Sequence, residues 1–407
     1  MANKLERIDA PGIRAEGAVL HNMRREVANL LHRQQLGFPG AQPVSFSRRH
    51  MDELRKQDYY VCEKTDGIRY LLYLTEDEGA NEVQYLIDRK NDYWFLPPGS
   101  LHLPRPDDAA GFHVKTLVDG ELVVDDLGHG NTQPNFLVFD CLILDNKDLT
   151  ERTLDKRLGY FKEAVFKPYQ ALFRKYPEER QFQAFGIEMK NMQYSYGIEM
   201  MFRTVLPNLK HSNDGLIFTR CNTAYHSGTD PHILKWKPVA ENTIDFRIEL
   251  TFPPRATAIK SDVDDGDDDS GTINSGSSSS AHDLSFPDLD YDALPTANLL
   301  AYHGDSDPEP YQLFKSMYLT ADEWDAIRST GDPVSNRVVE CALDDQQRWR
   351  IHRFRDDKPE ANHISTVKSV LESIRDSVSE EELMDAAKSF KEGWRARQQT
   401  QHEQPRR

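Results

Sequence analysis

Short runs of apolar and aromatic residues, broken by polar turns, dominate the chain from residue 59 to residue 238. Tyr59-Tyr60-Val61-Cys62 and Tyr70-Leu71-Leu72-Tyr73-Leu74 read as two paired strands. They flank Lys64-Thr65-Asp66-Gly67-Ile68-Arg69, where Gly67 permits a sharp turn or a close backbone approach. Val83 to Ile87 reads as the next strand, Asn91-Asp92 as a turn and Tyr93-Trp94-Phe95 as another strand start. Thr116 to Val124 is a strand interrupted by Asp119-Gly120-Glu121, for which a bulge at a sheet edge is one reading. The almost continuous apolar run Phe136–Leu144 reads as a central strand. Gln183 to Lys190, Asn213 to Phe218 and His232 to Pro238 follow as strands. Between them, helical spacing links Val19, Leu20, Met23, Val27, Leu30 and Leu31, and again Leu154, Leu158, Phe161, Val165 and Phe166. A short helix is expected from Ser47 to about Lys56.

The pattern changes at about Pro254. From there to Pro295 the chain is acidic and then serine-rich, too polar to bury a core, and reads as a disordered insertion. Around it, Thr243–Leu250, Gln312–Leu319, Val338–Leu343 and Trp349–Phe354 are short strands whose number suggests a small β-barrel. Ile364, Val367, Val370, Leu371, Ile374 and Val378 are at helical spacing. Ser379 with Glu382 forms a capping-box signature for a last helix with Leu383, Ala386, Phe390 and Trp394 on its apolar face. The tail from about Arg397 reads as polar and frayed.

Composition narrows the class. A chain of 407 residues, 38% hydrophobic and 10% aromatic, is long enough for two to three domains. No apolar stretch approaches the ~20 residues of a membrane span, and Met1–Arg7 lacks the apolar core of a signal peptide. Cys62, Cys141, Cys221 and Cys341 lie far apart, which argues against a zinc site or a disulfide framework and for a reducing compartment. A net charge of −17 argues against a surface that coats duplex nucleic acid, while leaving room for a local basic cleft.

The chemistry sits at the strand ends. A lysine beside a carboxylate and an arginine suits nucleophilic attack on phosphorus, provided that nearby cations lower the lysine's affinity for its proton. A hairpin turn with surface charges is the plain alternative for this hexapeptide alone. Arg89 at a strand end could reach a ribose or a phosphate, or point into solvent. Glu121, inside an apolar strand, needs a partner such as a sugar hydroxyl or a metal. Phe139 is most simply a core residue, or else a platform for a base. Lys190 could donate to a base oxygen. Lys235 and Lys237 share a strand face and repel unless an anion lies between them.

In order and spacing, Lys-Thr-Asp-Gly-Ile-Arg, Asp-Gly-Glu, Phe-Asp, Asn-Asp-Gly-Leu-Ile-Phe, Leu-Lys-Trp-Lys and Arg-x-Arg-Asp-Asp-Lys together resemble the covalent nucleotidyltransferase superfamily. Within it, the stretches Phe38–Phe46 and Tyr59–Gly67 are similar to fungal mRNA-capping guanylyltransferases of the alpha-subunit type. The resemblance covers roughly residues 10–250 and 310–375. It implies an α+β fold: a nucleotidyltransferase domain with antiparallel sheets and flanking helices over 1–240, and a C-terminal OB-fold β-barrel closed by helices over 241–375, carrying the insertion at about 254–295. A C-terminal helix and polar tail occupy 376–407.

The resemblance further implies that Lys64 attacks the α-phosphorus of GTP, that a lysyl–GMP intermediate forms, and that a 5′-diphosphate RNA end then receives the GMP. Thr65, Arg69, Arg89, Glu121, Phe139 and Lys190 would bind the nucleotide: Arg69, Arg89 and Glu121 at the ribose, Phe139 stacked on guanine, Lys190 at its carbonyl oxygen. Lys235 and Lys237 would contact the α-phosphate. Asp214 would assist a metal or the pyrophosphate, with Glu121 a second metal candidate for Mg²⁺ or Mn²⁺. Arg353, Arg355, Asp357 and Lys358 would serve the β- and γ-phosphates through domain closure. Asn362 falls later than the family's shorter final motif places its asparagine, which leaves its role open.

With no triphosphatase signature in the chain, a separate RNA 5′-triphosphatase subunit and the phosphorylated tail of RNA polymerase II are the expected partners, and the nucleus the expected location. Two alternatives stand beside this reading. An ATP-dependent polynucleotide ligase more often carries an aromatic where this chain has Thr65. A non-catalytic OB-fold scaffold binding RNA or the polymerase tail predicts a broken lysine motif.

Overall fold

The structure, a computed structural model, describes residues 11–255 and 288–403. Contacts divide the chain into two units: the stretch up to Val239 together with the C-terminal stretch from Arg375, and Ala240–Ile374. The expected disordered insertion falls largely on residues 256–287, outside the described residues, as does the N-terminal segment Met1–Arg7. The flanks of the insertion meet in an isolated β-bridge between Pro254 and Leu289.

The first unit is built on two sheets, one of eight strands and one of five. Most strand pairs are antiparallel, but Gly186–Met189 pairs parallel with Asn131–Leu144, and Gly228–Trp236 parallel with Ala41–Ser45. The apolar run Tyr70–Leu74 belongs to a strand covered on both faces. Tyr70, Leu72 and Leu74 enter one core cluster, while Leu71 and Tyr73 enter another. That burial explains why the run lacks polar alternation. The first of these clusters also takes Phe161, Val165, Tyr169 and Phe173 from the helical stretch over residues 154–175. The five-stranded sheet packs Tyr59, Val61, Leu216, Phe218, Leu234 and Trp236 against the helices Arg48–Lys56 and Glu380–Glu403.

Two expectations are corrected here. The strands Tyr59–Thr65 and Ile68–Glu76 do not form a hairpin. The first pairs with Asn213–Arg220 and Gln193–Tyr194 in the smaller sheet, the second with Glu82–Ile87 and Thr116–Gly128 in the larger. The chain crosses from one sheet to the other at Asp66-Gly67, and a Cβ on Gly67 would meet the Leu122 carbonyl oxygen at 2.6 Å. Gly67 is thus needed for close approach. Nor is Thr116–Gly128 an edge strand: it lies between Ile68–Glu76 and Asn131–Leu144, although its register does shift between Asp119 and Gly120.

The described part of the tail, to Glu403, is helical rather than frayed, while residues 404–407 lie outside the described residues. The last helix runs to Glu403, and Arg397 donates to Asp58 Oδ1 (2.7 Å) and to the Arg55 carbonyl (2.6 Å). Gly393 lets this helix press on Arg48–Lys56, since a Cβ there would lie 2.2 Å from the Arg55 carbonyl oxygen. Alanine is ordinarily preferred to glycine inside a helix by about 0.8–1 kcal/mol. Gly393→Ala is nevertheless expected to destabilise the protein by about 1–3 kcal/mol, read as a lower urea midpoint, because overpacking outweighs propensity.

The second unit is a five-stranded antiparallel sheet in the order Tyr311–Met317, Thr296–Tyr302, Ile244–Thr251, Val338–Leu343, Trp349–Phe354. Phe246, Trp324, Trp349 and Val367 lie in its core. Thr296–Tyr302 was not anticipated as a strand. The expected closed barrel is not formed by the strand ladders. Tyr311–Met317 and Trp349–Phe354 remain the edges of the ladder order, linked just beyond the first of them by the Tyr318 N–H, which donates to the Trp349 carbonyl (3.0 Å).

Candidate active site

Alternation on three strands of the smaller sheet sets one wall of a cleft. Val61, Phe218 and Leu234 point into the core, so Cys62 and Lys64, Ile217 and Thr219, and Ile233 point the other way and line the cleft. Lys235 follows Ile233 on that face. The larger sheet supplies the opposite wall with Arg69, Asp119, Glu121, Phe139 and Asp140, and the turn after its Glu82–Ile87 strand adds Arg89. The cleft measures about 770 Å³ including its open mouth.

Lys64 Nζ donates to Asp214 Oδ1 at 2.6 Å, and Lys237 Nζ lies 2.6 Å from Asp214 Oδ2. One carboxylate therefore bridges Lys64, on the Tyr59–Thr65 strand, and Lys237, just past the end of Gly228–Trp236. Lys235 is beside them. Burial first, then Lys237, Lys64 and Arg89, push its pKa below the usual 10.5. A half-buried cation crowded by like charges makes a good seat for an incoming anion.

Deeper in the cleft, Lys190 is buried and donates to the Glu63 carbonyl (3.1 Å), to Thr65 Oγ1 (2.8 Å) and to Glu121 Oε2 (3.4 Å). Burial opposes its charge, but Cys62, Glu121 and Glu63 outweigh burial and hold its pKa above the ordinary value. Thr65 in turn donates to Glu121. Lys190 and Arg69 both stand over the Phe139 ring, at 5.7 and 5.4 Å from its centroid. Phe139 is therefore partly exposed cleft wall, unlike its fully buried neighbour Val138.

Arg69 differs from expectation. It lines the cleft, but its Nε and Nη2 donate to Asp119 Oδ1 (2.9 Å) and Oδ2 (2.6 Å), and its Nη1 donates to the Ala41 carbonyl. Most of its fork is thus engaged before any sugar arrives. Burial works against its charge, but Asp119 overrides that and holds the pKa above the ordinary value. Asp119 is 0% exposed and also accepts from the Tyr225 hydroxyl at 2.6 Å, while that hydroxyl accepts from Ala41 N–H at 2.8 Å. Below them, Arg157 makes a two-point pair with Asp140 (2.7 and 2.7 Å). Sequence reasoning asked for a partner for the Asp-Gly-Glu acids but did not find Arg69 for Asp119. Tyr225 and Arg157 gave no local signal.

Among the described residues, no group of three or more His, Cys, Asp or Glu side chains gathers to hold a metal ion. Glu121 is engaged by Thr65 and Lys190, and Asp214 by Lys64 and Lys237. These two carboxylates do not fit a resident metal site. They fit at most an ion that brings its remaining ligands with it, as Mg²⁺ does on phosphates.

The other four expected residues lie in the second unit and come together there. Arg353 donates to Glu340, Arg355 to Asp357 (2.9 and 2.9 Å) and to Asp245 (3.3 Å), and Lys358 to Asp245.

A lysine seated on a carboxylate at the head of such a cleft, with further lysines beside it and an aromatic wall beyond, has the parts that covalent nucleotidyl transfer needs. The comparisons place it more narrowly. The family model described as "mRNA capping enzyme, catalytic domain" matches residues 5–239, and the one described as "mRNA capping enzyme, C-terminal domain" matches residues 241–384. The chain belongs to the mRNA capping enzyme family. It is 52% identical to an mRNA-capping enzyme subunit alpha from Neurospora crassa over 97% of this chain and 96% of that one. The corresponding protein of Schizosaccharomyces pombe is 40% identical over 96% and 90% of the two chains. Among solved structures, a mycobacterial DNA ligase D complexed with ATP is similar at a TM-score of 0.36 and 14% identity, over 78% of this chain and 95% of that one. A likeness at that level assigns this chain neither fold nor function.

Proposed function

We infer that this chain is the guanylyltransferase of an mRNA capping system and that Lys64 carries its covalent intermediate. The observation that supports this most directly is the Lys64–Asp214–Lys237 bridge at the head of the cleft, in a chain of this family. Lys64 Nζ attacks the α-phosphorus of GTP. The N–P bond forms, the bond from that phosphorus to the α,β-bridging oxygen breaks, and pyrophosphate leaves. Asp214, 2.6 Å from Nζ, is placed to take a proton from the amine. In the second half-reaction, a terminal phosphate oxygen of a 5′-diphosphate RNA attacks the same phosphorus. The N–P bond then breaks, and the capped end departs.

Lys235 and Lys237 neutralise the α-phosphate. Arg89 and Glu121 take the ribose, Phe139 the guanine face, and Lys190 its carbonyl oxygen by exchanging one of the three bonds it makes to Glu63, Thr65 and Glu121 in the free protein. Arg69, clamped by Asp119, fixes the wall beneath Phe139 and offers the ribose only the N–H groups that remain. Arg353, Arg355 and Lys358, with Asp357 bracing Arg355, act on the β- and γ-phosphates, and the second unit is read as an OB fold. Mg²⁺ or Mn²⁺ carried by the phosphates would offset their charge, with Asp214 the nearest carboxylate to meet it. The relatives are named as alpha subunits, so a partner subunit belongs to the proposal. That partner is an RNA 5′-triphosphatase, with the phosphorylated polymerase II tail as a second contact and the nucleus as location.

Incubation with α-labelled GTP and, separately, α-labelled ATP tests the reading. Acid-labile, alkali-stable label from GTP supports it. Label from ATP alone moves the chain to the ligases, and no label from either, with the protein folded, leaves a scaffold or a requirement for the partner subunit.

Lys235 gives a pH signature. A bound phosphate favours its charged form, so GTP binding should take up a proton between the depressed pKa of the free site and the higher pKa of the complex. GTP affinity is expected to fall as pH rises through that window, and Lys235→Arg is expected to remove the fall. Calorimetry in two alkaline buffers of different ionisation enthalpy reads the proton directly. In the free protein the sign reverses. The unfolded chain holds this proton more tightly, so stability rises with pH from the depressed pKa towards 10.5.

A further inference from the structure

The ladder between Tyr59–Thr65 and Asn213–Arg220 is broken where the Lys64 amine sits. Thr65 pairs with Asn213 and Glu63 with Leu216, so Lys64 alone faces two residues, Asp214 and Gly215. This is a β-bulge, a device that re-aims a side chain. Here it aims Asp214 at Lys64 Nζ, 2.6 Å away. On its far side the bulge is pinned at Gly215, where a Cβ would lie 2.0 Å from the Trp236 carbonyl oxygen. On its near side the chain enters from Lys210-His211-Ser212, ahead of the strand. Lys210 and Ser212 are exposed, but the His211 side chain is only 10% exposed.

Three bonds fix that entry. Asp126 N–H donates to the Lys210 carbonyl (2.7 Å), Asp66 N–H donates to the Ser212 carbonyl (3.0 Å), and His211 Nδ1 donates to Asp125 Oδ1 (2.7 Å). The carboxylate accepts, so Nδ1 carries the hydrogen. Asp125 is itself buried and accepts from Asn135 Nδ2 (2.6 Å). Asp125 and Asn135 stand on neighbouring strands of the larger sheet, while His211 leads into a strand of the smaller one. The pair therefore ties one sheet to the other three residues before Asp214. An apolar plug would fill the place at less cost. His211 Nε2 and Asn135 Oδ1 are buried with no hydrogen-bond partner among the described residues, a penalty that an apolar side chain does not carry. Neither Asp125 nor His211 lines the cleft.

We propose that Asp125 and His211 are positioning residues for nucleotidyl transfer: the pair pins the entry to the bulge and so holds Asp214 on the Lys64 amine. This rests on the guanylyltransferase reading above, in which Asp214 takes a proton from Lys64 as the N–P bond forms. The same carboxylate returns a proton to Nζ when that bond breaks and GMP passes to RNA. The pair therefore matters in both half-reactions, and it acts on their rate rather than on the binding of GTP.

The test sets two full-length variants against each other. His211→Leu fills the space but removes the donor. His211→Asn is smaller but keeps an N–H for Asp125. Adduct formation is followed over time at several concentrations of labelled GTP, which yields a rate constant at saturation, a half-saturating concentration and an amplitude. His211→Leu is expected to lower the saturated rate constant by about 10- to 100-fold, the scale of a misplaced group, with amplitude and half-saturating GTP unchanged. Transfer from its adduct to diphosphate-ended RNA is expected to slow as well. His211→Asn is expected to react at close to the wild-type rate constant. A merely structural pair gives the opposite order, because leucine packs better than asparagine. It shows that order as lower thermal midpoints and amplitudes at an unchanged rate constant, and that result overturns the proposal. So does a change in half-saturating GTP alone. Asp125→Asn, which keeps the shape and removes the charge, is expected to show a smaller loss of the same kind, and it decides the matter should His211→Leu not fold. Wild-type protein that forms no adduct with GTP would overturn the guanylyltransferase reading, and this proposal with it. Normal rate constants in wild type and every variant would remove the role of this pair alone.

Discussion

Lys64→Ala is expected to form no covalent GMP adduct, a loss of at least about 10⁴-fold in the first half-reaction, as removal of a nucleophile produces. The fold should survive. Lys64 is a partly exposed strand-end residue, and Asp214 keeps Lys237 as its partner. Because Asp214 is not left as an unpaired buried charge, the loss of stability should stay within the about 0–1 kcal/mol of an ordinary ion pair. Lys64→Arg sharpens the point. It preserves the positive charge opposite Asp214 but replaces the amine by a guanidinium that does not give up its proton, and it should be equally silent. Activity retained by either variant, measured on folded protein, would mean that another group attacks phosphorus.

The second large effect lies under the cleft rather than in its mouth. Asp119→Ala leaves Arg69 with a buried charge whose remaining hydrogen-bond acceptors are the Ala41 carbonyl and the Tyr225 hydroxyl. Breaking a buried pair of this kind costs about 3–5 kcal/mol, a large share of the about 5–15 kcal/mol that holds a typical domain together. A lower urea midpoint with an unchanged slope is the expected result. Tyr225→Phe removes one donor to the same carboxylate and strands the Ala41 N–H, so a smaller loss of about 1–3 kcal/mol is expected. The two effects should not add, since both act on Asp119.

What could be read from the chain, and what could not, follows from the range of the interactions. The runs at Tyr59, Tyr70 and Phe136 announced strands because burial writes itself into consecutive residues. Ser47, and Ser379 with Glu382, announced helix starts because a cap is local; the Glu382 side chain accepts from Ser379 N–H at 2.8 Å. Lys64, Arg89, Glu121 and Lys190 stood out singly because a polar group in or at the end of an apolar strand asks for a partner; the family resemblance joined them with Phe139 into a set, and all five line one cleft. Strand pairing was not legible. The hexapeptide looks like a hairpin turn, yet its two sides belong to different sheets, a choice made by partners about 150 residues away, such as Ile217 opposite Cys62. Buried charge partners are equally remote. Asp119 is 50 positions from Arg69, and Asp245 is 113 from Lys358. The tail misled for the same reason: its polar sequence is held by Asp58, 339 positions earlier.

The most direct test of the account is to incubate the intact protein with GTP, digest it, and find by mass spectrometry which residue carries GMP. The account predicts one modified peptide, with GMP on Lys64, and none after ATP. GMP on Lys190, Lys235 or Lys237 instead, or an adduct formed from ATP alone, would contradict it.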